Sequence, residues 1–279
     1  MKRLLLSTIV LMSFTATTYA LPVTVTITNN SSGLGVGLAP VWVGFHNGSF
    51  DSHNTGEAAS SELETLAEVG SPAPLSNTFA ANGTLAASAL AQTGTRVQGN
   101  TGLLPQGATQ TLTFDVATDG SNSFFSYASM ILPSSDYFIA NDNPFGIDLS
   151  SILSSGGEIN FNIGLPGSIK DAGTEINDFA FSAGNPLVGI PGGDAANGAD
   201  ENGVVALVDN PFAGFLNAPD SFDFAPLNFN DSTLYPNGIA SIRISAASVP
   251  IPGTLALAGL GLLALFTQRR KNSDGLVAA

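Results

Sequence analysis

The chain has 279 residues, 44% of them hydrophobic, and 22 acidic residues against 8 basic ones give a formal net charge of −14. So acidic a surface repels phosphate backbones, which excludes nucleic acid as a partner. Cysteine is absent, which excludes disulfides, zinc–thiolate sites, iron–sulfur clusters and cysteine nucleophiles.

The chain opens on Lys2 and Arg3, an apolar run from Leu4 to Phe14, and the ending Thr18-Tyr19-Ala20. A positive start, a short apolar core and a small residue at the cut mark a secretory signal peptide, assigned to 1–20. The run falls short of the ~20 apolar residues a spanning helix needs. The domain that follows, 21–248, carries 21 of the acids and only Arg96, Lys170 and Arg243 as basic residues, a net charge near −18. It is long enough to bury a core of its own.

Alternation of apolar and polar residues dominates that domain. Val23, Val25 and Ile27 alternate with threonines, the pattern of a half-buried strand. Further strands are predicted at Val41 to Phe45, Thr111 to Ala117, Phe124 to Leu132, around Ile159, Phe161 and Ile163, at Val204 to Val208, and around Ile239, Ile242 and Ile244. One short helix is predicted: Ser61 with Glu64 reads as a capping box, Leu63, Leu66 and Ala67 form its apolar stripe, and Gly70 stops it. Ser182 to Asn202, rich in Gly, Ala, Asn and Pro, reads as a long loop. Many short strands with turns between them predict an all-β fold, an antiparallel β-sandwich or barrel.

The last segment, 249–279, contains Val249-Pro250-Ile251-Pro252-Gly253-Thr254, the apolar stretch Leu255 to Phe266, and Arg269-Arg270-Lys271. It resembles PEP-CTERM sorting tails, with Ile251 where that family has its central Glu. The resemblance implies a transmembrane segment over 251–268, recognition by an exosortase-type enzyme, and display at the cell surface or in the exopolysaccharide layer. The basic cluster after the apolar run independently places the far C-terminus inside and the domain outside.

Blocks within the domain carry a second resemblance. Pro40-Val41-Trp42-Val43-Gly44-Phe45-His46-Asn47-Gly48-Ser49-Phe50-Asp51, Gly56-Glu57-Ala58-Ala59-Ser60, and Leu63 to Gly70 resemble the opening of the spondin domain. Leu132-Pro133-Ser134-Ser135-Asp136-Tyr137-Phe138, Asp171-Ala172-Gly173-Thr174-Glu175 and Gly198 to Gly203 resemble later blocks of its bacterial members, in the same order. The resemblance implies a β-sandwich of C2-like layout and one calcium ion (Ca2+) bound by loop carboxylates. It assigns the metal to Asp136, Asp171 and Glu175, the last standing where some relatives have Asp. Spacing is compatible: Asp171 and Glu175 flank Gly173, and Asp136 follows a predicted strand.

Other constellations are weaker. Asp194, Asn197, Asp200 and Glu201 form an acidic loop without EF-hand spacing, which reads as an ordinary turn. His46 and His53, the only histidines, lack the further ligands of a zinc site, and a structural role is expected of them. No Gly-x-Ser-x-Gly elbow, phosphate loop or dinucleotide fingerprint occurs, and no carboxylate pair is singled out for glycoside hydrolysis. Trp42, the sole tryptophan, is expected in the core. The expectation is a non-catalytic, exported module at the cell surface. It would bind calcium and serve adhesion or an exopolysaccharide matrix, with a glycan or surface protein as partner. Its rivals are an extracellular polysaccharide-acting enzyme and a purely structural matrix protein.

Overall fold

The computed structural model describes residues 20–31, 36–81, 103–132, 134–177, 199–208 and 235–248, together with Gly261. The expected signal peptide, most of the 182–202 loop and the sorting tail lie outside the described residues. No helix among the described residues is long and apolar enough to cross a membrane. The protein is mostly β, with antiparallel sheets and few helices.

In chain order the elements are β1 (Ala20–Asn29), β2 (Gly37–Leu38), β3 (Trp42–His46), α1 (Ser61–Val69), α2 (Ala73–Ala81), β4 (Thr109–Ala117), β5 (Phe124–Leu132), β6 (Tyr137–Ala140), α3 (Ser150–Ser155), β7 (Gly157–Ile163), β8 (Lys170–Asp171), β9 (Ala206–Leu207) and β10 (Ala240–Ala246). One sheet has the order β4-β1-β10-β7. The other runs β2-β5-β6-β8-β9, with β3 also paired to β5.

Alternation explains the first sheet. Val23, Val25 and Ile27 of β1 are fully buried, and β10 answers with Ile242 and Ile244. The intervening threonines face out, and Thr24, Thr26 and Thr28 place their hydroxyls 3.1, 3.2 and 2.9 Å from those of Thr113, Thr111 and Thr109. Such cross-strand pairs hold the register that keeps the apolar row inside.

The central strands of the second sheet, β3, β5 and β6, are buried on both faces, so they read as apolar runs. Val43, Phe45, Phe125 and Ile139 join the first sheet's residues in one hydrophobic cluster. Trp42, Ala128, Phe138 and Ala140, on the opposite face, pack with Leu63, Leu66 and Ala67 of α1 and Leu75 and Phe79 of α2. Trp42 is fully buried as expected, its ring centroid 5.4 Å from that of Phe50 and 5.2 Å from that of Phe79.

Three readings are corrected. The cap of α1 is Ser60, whose side chain accepts from the Leu63 N–H at 3.3 Å, so the helix starts at Ser61, the residue read from the sequence as its cap. Gly70 does end it, in the left-handed conformation at φ 67°. There are three helices among the described residues rather than one: α2 tolerates Pro74 because a first-turn N–H has no partner in the helix, and α3 buries Ile152 and Leu153 beneath a serine-rich sequence. The predicted strand at Val204 to Val208 shortens to the two exposed residues of β9.

Candidate metal centre

Strand pairing brings two of the predicted residues to one place. In the β6–β8 ladder Tyr137 opposes Asp171 and Phe138 opposes Lys170, so Asp136, just before β6, lies beside the end of β8. After Asp171 the chain turns sharply. Asp171 Oδ1 accepts from the Gly173 N–H at 2.7 Å, and Gly173 adopts φ 67°. A Cβ there would come within 2.6 Å of the Val204 nitrogen, so both conformation and space call for glycine.

The turn aims successive N–H groups at Asp136. Its Oδ2 accepts from Thr174 N at 2.8 Å, Glu175 N at 3.1 Å and Thr174 Oγ1 at 3.2 Å. The Asn177 amide bridges the two carboxylates, donating to Asp136 Oδ1 at 3.2 Å and to Asp171 Oδ2 at 2.9 Å. Asp136 is fully buried and Glu175 is nearly so. A second segment clamps the turn: Glu201 N donates to Thr174 O at 2.9 Å, Ile176 N to Ala199 O at 2.8 Å, and Glu175 bridges Asp200. The acidic stretch at Asp200 and Glu201, read from sequence as a separate turn, therefore adjoins the site.

The electrostatics are one-sided. Burial, and then the charge of Asp136, push the Asp171 carboxyl up to about 7, with Glu201 adding to the effect and the Gly173 N–H opposing it. Burial raises Glu68 of α1, helped by the charges of Glu64, Asp136 and Asp200. Two basic side chains lie among the described residues, and both are engaged elsewhere. Lys170 Nζ reaches Asp142 at 2.9 Å and the Ala140 carbonyl at 3.1 Å, and Arg243 lies 3.4 Å from Glu158.

Crowded carboxylates without a basic partner are the donor chemistry of a hard divalent cation. Asp136 and Asp171 fit that role. The backbone of Glu175 belongs to the turn, but among the described residues no three acidic or histidine side chains converge as a ready-made metal cage. Asn177 and Glu68 carry no sequence signal that marks them; only the fold delivers them here.

The histidines have separate partners. His46 is buried, with Nε2 2.8 Å from Ser126 Oγ and Nδ1 accepting from the Gly48 N–H, and burial lowers it to about 4, so it is neutral. His53 packs on the Phe138 ring and reaches Asp142 Oδ1 at 3.3 Å.

Two antiparallel sheets with an acid-lined loop at the end of adjoining strands define the class as a β domain with few helices. The chain belongs to the Spondin_N family, whose family model matches residues 37–183, from β2 through β8 and including Asp136, Asp171 and Glu175. No curated protein matches the sequence.

Proposed function

We propose that this protein is an exported, surface-held, non-catalytic module that binds calcium and serves adhesion or an exopolysaccharide matrix. The observation that carries the reading is the Asp136–Asp171 pair, bridged by Asn177 and without a basic partner among the described residues. In this reading Asp136 and Asp171 hold the ion and Glu175 assists from the same turn of a C2-like sandwich. The ion would supply charge neutralisation, and the chain's own N–H groups and Asn177 would keep the carboxylates in place. The signal peptide at 1–20 would export the chain. The PEP-CTERM-like tail at 249–279 would hold it at the membrane for an exosortase-type enzyme, leaving the domain to meet a glycan or a surface protein.

Calcium titration of the full chain by calorimetry, with thermal unfolding in parallel, tests the metal. An ion that binds only the native state raises the midpoint as its concentration passes the dissociation constant. Binding near one-to-one that disappears in Asp171→Ala is the expected outcome. Wild-type protein that neither binds calcium nor shifts its midpoint sinks the proposal.

A further inference from the structure

A groove of about 510 Å3 opens beside β7, the edge strand of the first sheet, on the far side of β5 from α1 and α2. Its floor is apolar: Tyr127 of β5, Ile147, and Ile159 and Phe161 of β7 line it while packing against the main hydrophobic cluster. The Tyr127 and Phe161 rings lie 6.2 Å apart, tilted 38° to one another. Its rim is polar and comes from one loop, through Asn141, Asp142, Asn143 and Asp148.

The loop is built to stand still. Asn141 Oδ1 accepts from the Tyr127 N–H at 2.9 Å, and its amide donates to Ser126 Oγ at 3.0 Å. Phe125 N donates to the Ile147 carbonyl at 3.0 Å, and Leu149 N to the Ser123 carbonyl at 2.7 Å. Asn143 and Asp148 each accept a backbone N–H two residues on, at 2.9 and 2.7 Å. Buried Lys170 and His53 hold Asp142 by Oδ1 from behind, and the Asp142 side chain remains 65% exposed. Burial and the Asp142 charge push the Tyr127 phenol up, so it stays a hydroxyl.

The geometry points to a binding site for a neutral oligosaccharide. Its volume falls in the roughly 300–1,000 Å3 range of small-ligand clefts, and its open form suits a chain lying along the surface. Aromatic and aliphatic floors accept the C–H faces of sugar rings, and the carboxylate and amide rim accepts and donates to hydroxyls. No lining residue among the described residues is basic, and two are acidic, which disfavours uronates and phosphates. Lys170 already neutralises Asp142, so the rim asks for hydroxyl donors rather than a second cation. The inference rests on the surface-module reading for its glycan partner, but it invokes none of the metal-site residues.

The test is amide-resolved NMR of the labelled full chain with neutral hexasaccharides of glucose, mannose and galactose, alongside hexagalacturonate and hexalysine. At least one neutral hexasaccharide is expected to shift the Asn141, Asn143 and Gly146 amides saturably. Phe161→Leu keeps apolar packing while removing the flat ring, and should weaken that binding about tenfold or more. Thr111→Ala, on the opposite outer face, should not change it. The inference is overturned if no neutral hexasaccharide shifts these amides, if the shifts map elsewhere, if Phe161→Leu binds as wild type, or if hexagalacturonate or hexalysine binds here more tightly. Calcium calorimetry on the same samples separates the two readings: loss of calcium binding alone leaves the groove standing, and an inert groove alone leaves the metal site standing.

Discussion

Replacing Asp171 by Asn removes one of two crowded carboxylates while keeping an oxygen for the Gly173 N–H. In the metal-free protein, burial and Asp136 raise the folded-state Asp171 carboxyl from 3.8 to about 7. A group raised on folding binds its proton more tightly in the native state. Between pH 4 and 7 the native state therefore holds more protons than the unfolded chain, and stability falls as pH rises, levelling off above about 7. Each tenfold change in proton affinity is worth about 1.4 kcal/mol, which sets a ceiling near 4 kcal/mol for a fully buried group. Asp171 is only partly buried, and solvent screening reduces the expected loss to about 1–2 kcal/mol. For a domain of this size that is a midpoint drop of about 2–8 °C. The assay is thermal unfolding with a chelator present, from pH 4 to 8, for wild type and Asp171→Asn. Wild type should lose stability toward neutral pH, and the variant should lose less of it. Calcium should restore wild type at pH 7.5 and leave the variant unmoved. Parallel pH profiles for the two proteins would refute the claim that burial and Asp136 raise the Asp171 carboxyl on folding.

Three further perturbations follow. Asp136→Ala strands the Thr174 and Glu175 N–H groups in the interior and should cost about 3 kcal/mol in urea unfolding; a loss under about 0.5 kcal/mol would mean that these bonds do not organise the turn. Gly173→Ala forces a Cβ to within 2.7 Å of the Val204 carbonyl oxygen, so amide exchange at Gly203, whose N–H donates to Gly173 O at 2.6 Å, should accelerate about tenfold or more; unchanged exchange would show that the turn accommodates a side chain. Asp142→Ala leaves the Lys170 ammonium buried with carbonyl partners only, and should destabilise by about 2 kcal/mol, more than Lys170→Met; the opposite order in urea unfolding would show that the buried ammonium needs no counter-charge.

Strands with one wet face were legible because their period is written in the residues: Val23, Val25 and Ile27 against Thr24, Thr26 and Thr28 admit one register. Phe124 to Leu132 was legible as a strand by its apolar content, but not which face meets which layer, because both faces are covered and neither alternates with polar residues. The second and third helices were not legible. Nine residues with Pro74 in the first turn, and six dominated by serine, carry too little periodicity to show themselves; what holds them is the contact of Leu75 and Phe79, or Ile152 and Leu153, with layers built by distant strands.

The candidate site divides along the same line. Asp171, Gly173 and Glu175 lie close in sequence, and a turn that needs a glycine at its bend is a local fact, so local reading reached it. Asp136 comes from 35 residues earlier and meets them through the two-residue β6–β8 ladder. Asp200 and Glu201 come from later still, beyond the end of the family match at residue 183, yet their backbone closes the turn from the other side. The site's charge thus depends on these three stretches and on Glu68 of α1, whose acids repel one another, while the backbones of the three stretches nevertheless bond. A folded state that gathers carboxylates through N–H donors, with no basic side chain among the described residues to balance them, gives up stability at neutral pH. On the proposed calcium reading, a cation that neutralises the pair would return that stability, and the order of this loop would follow the calcium concentration around the domain.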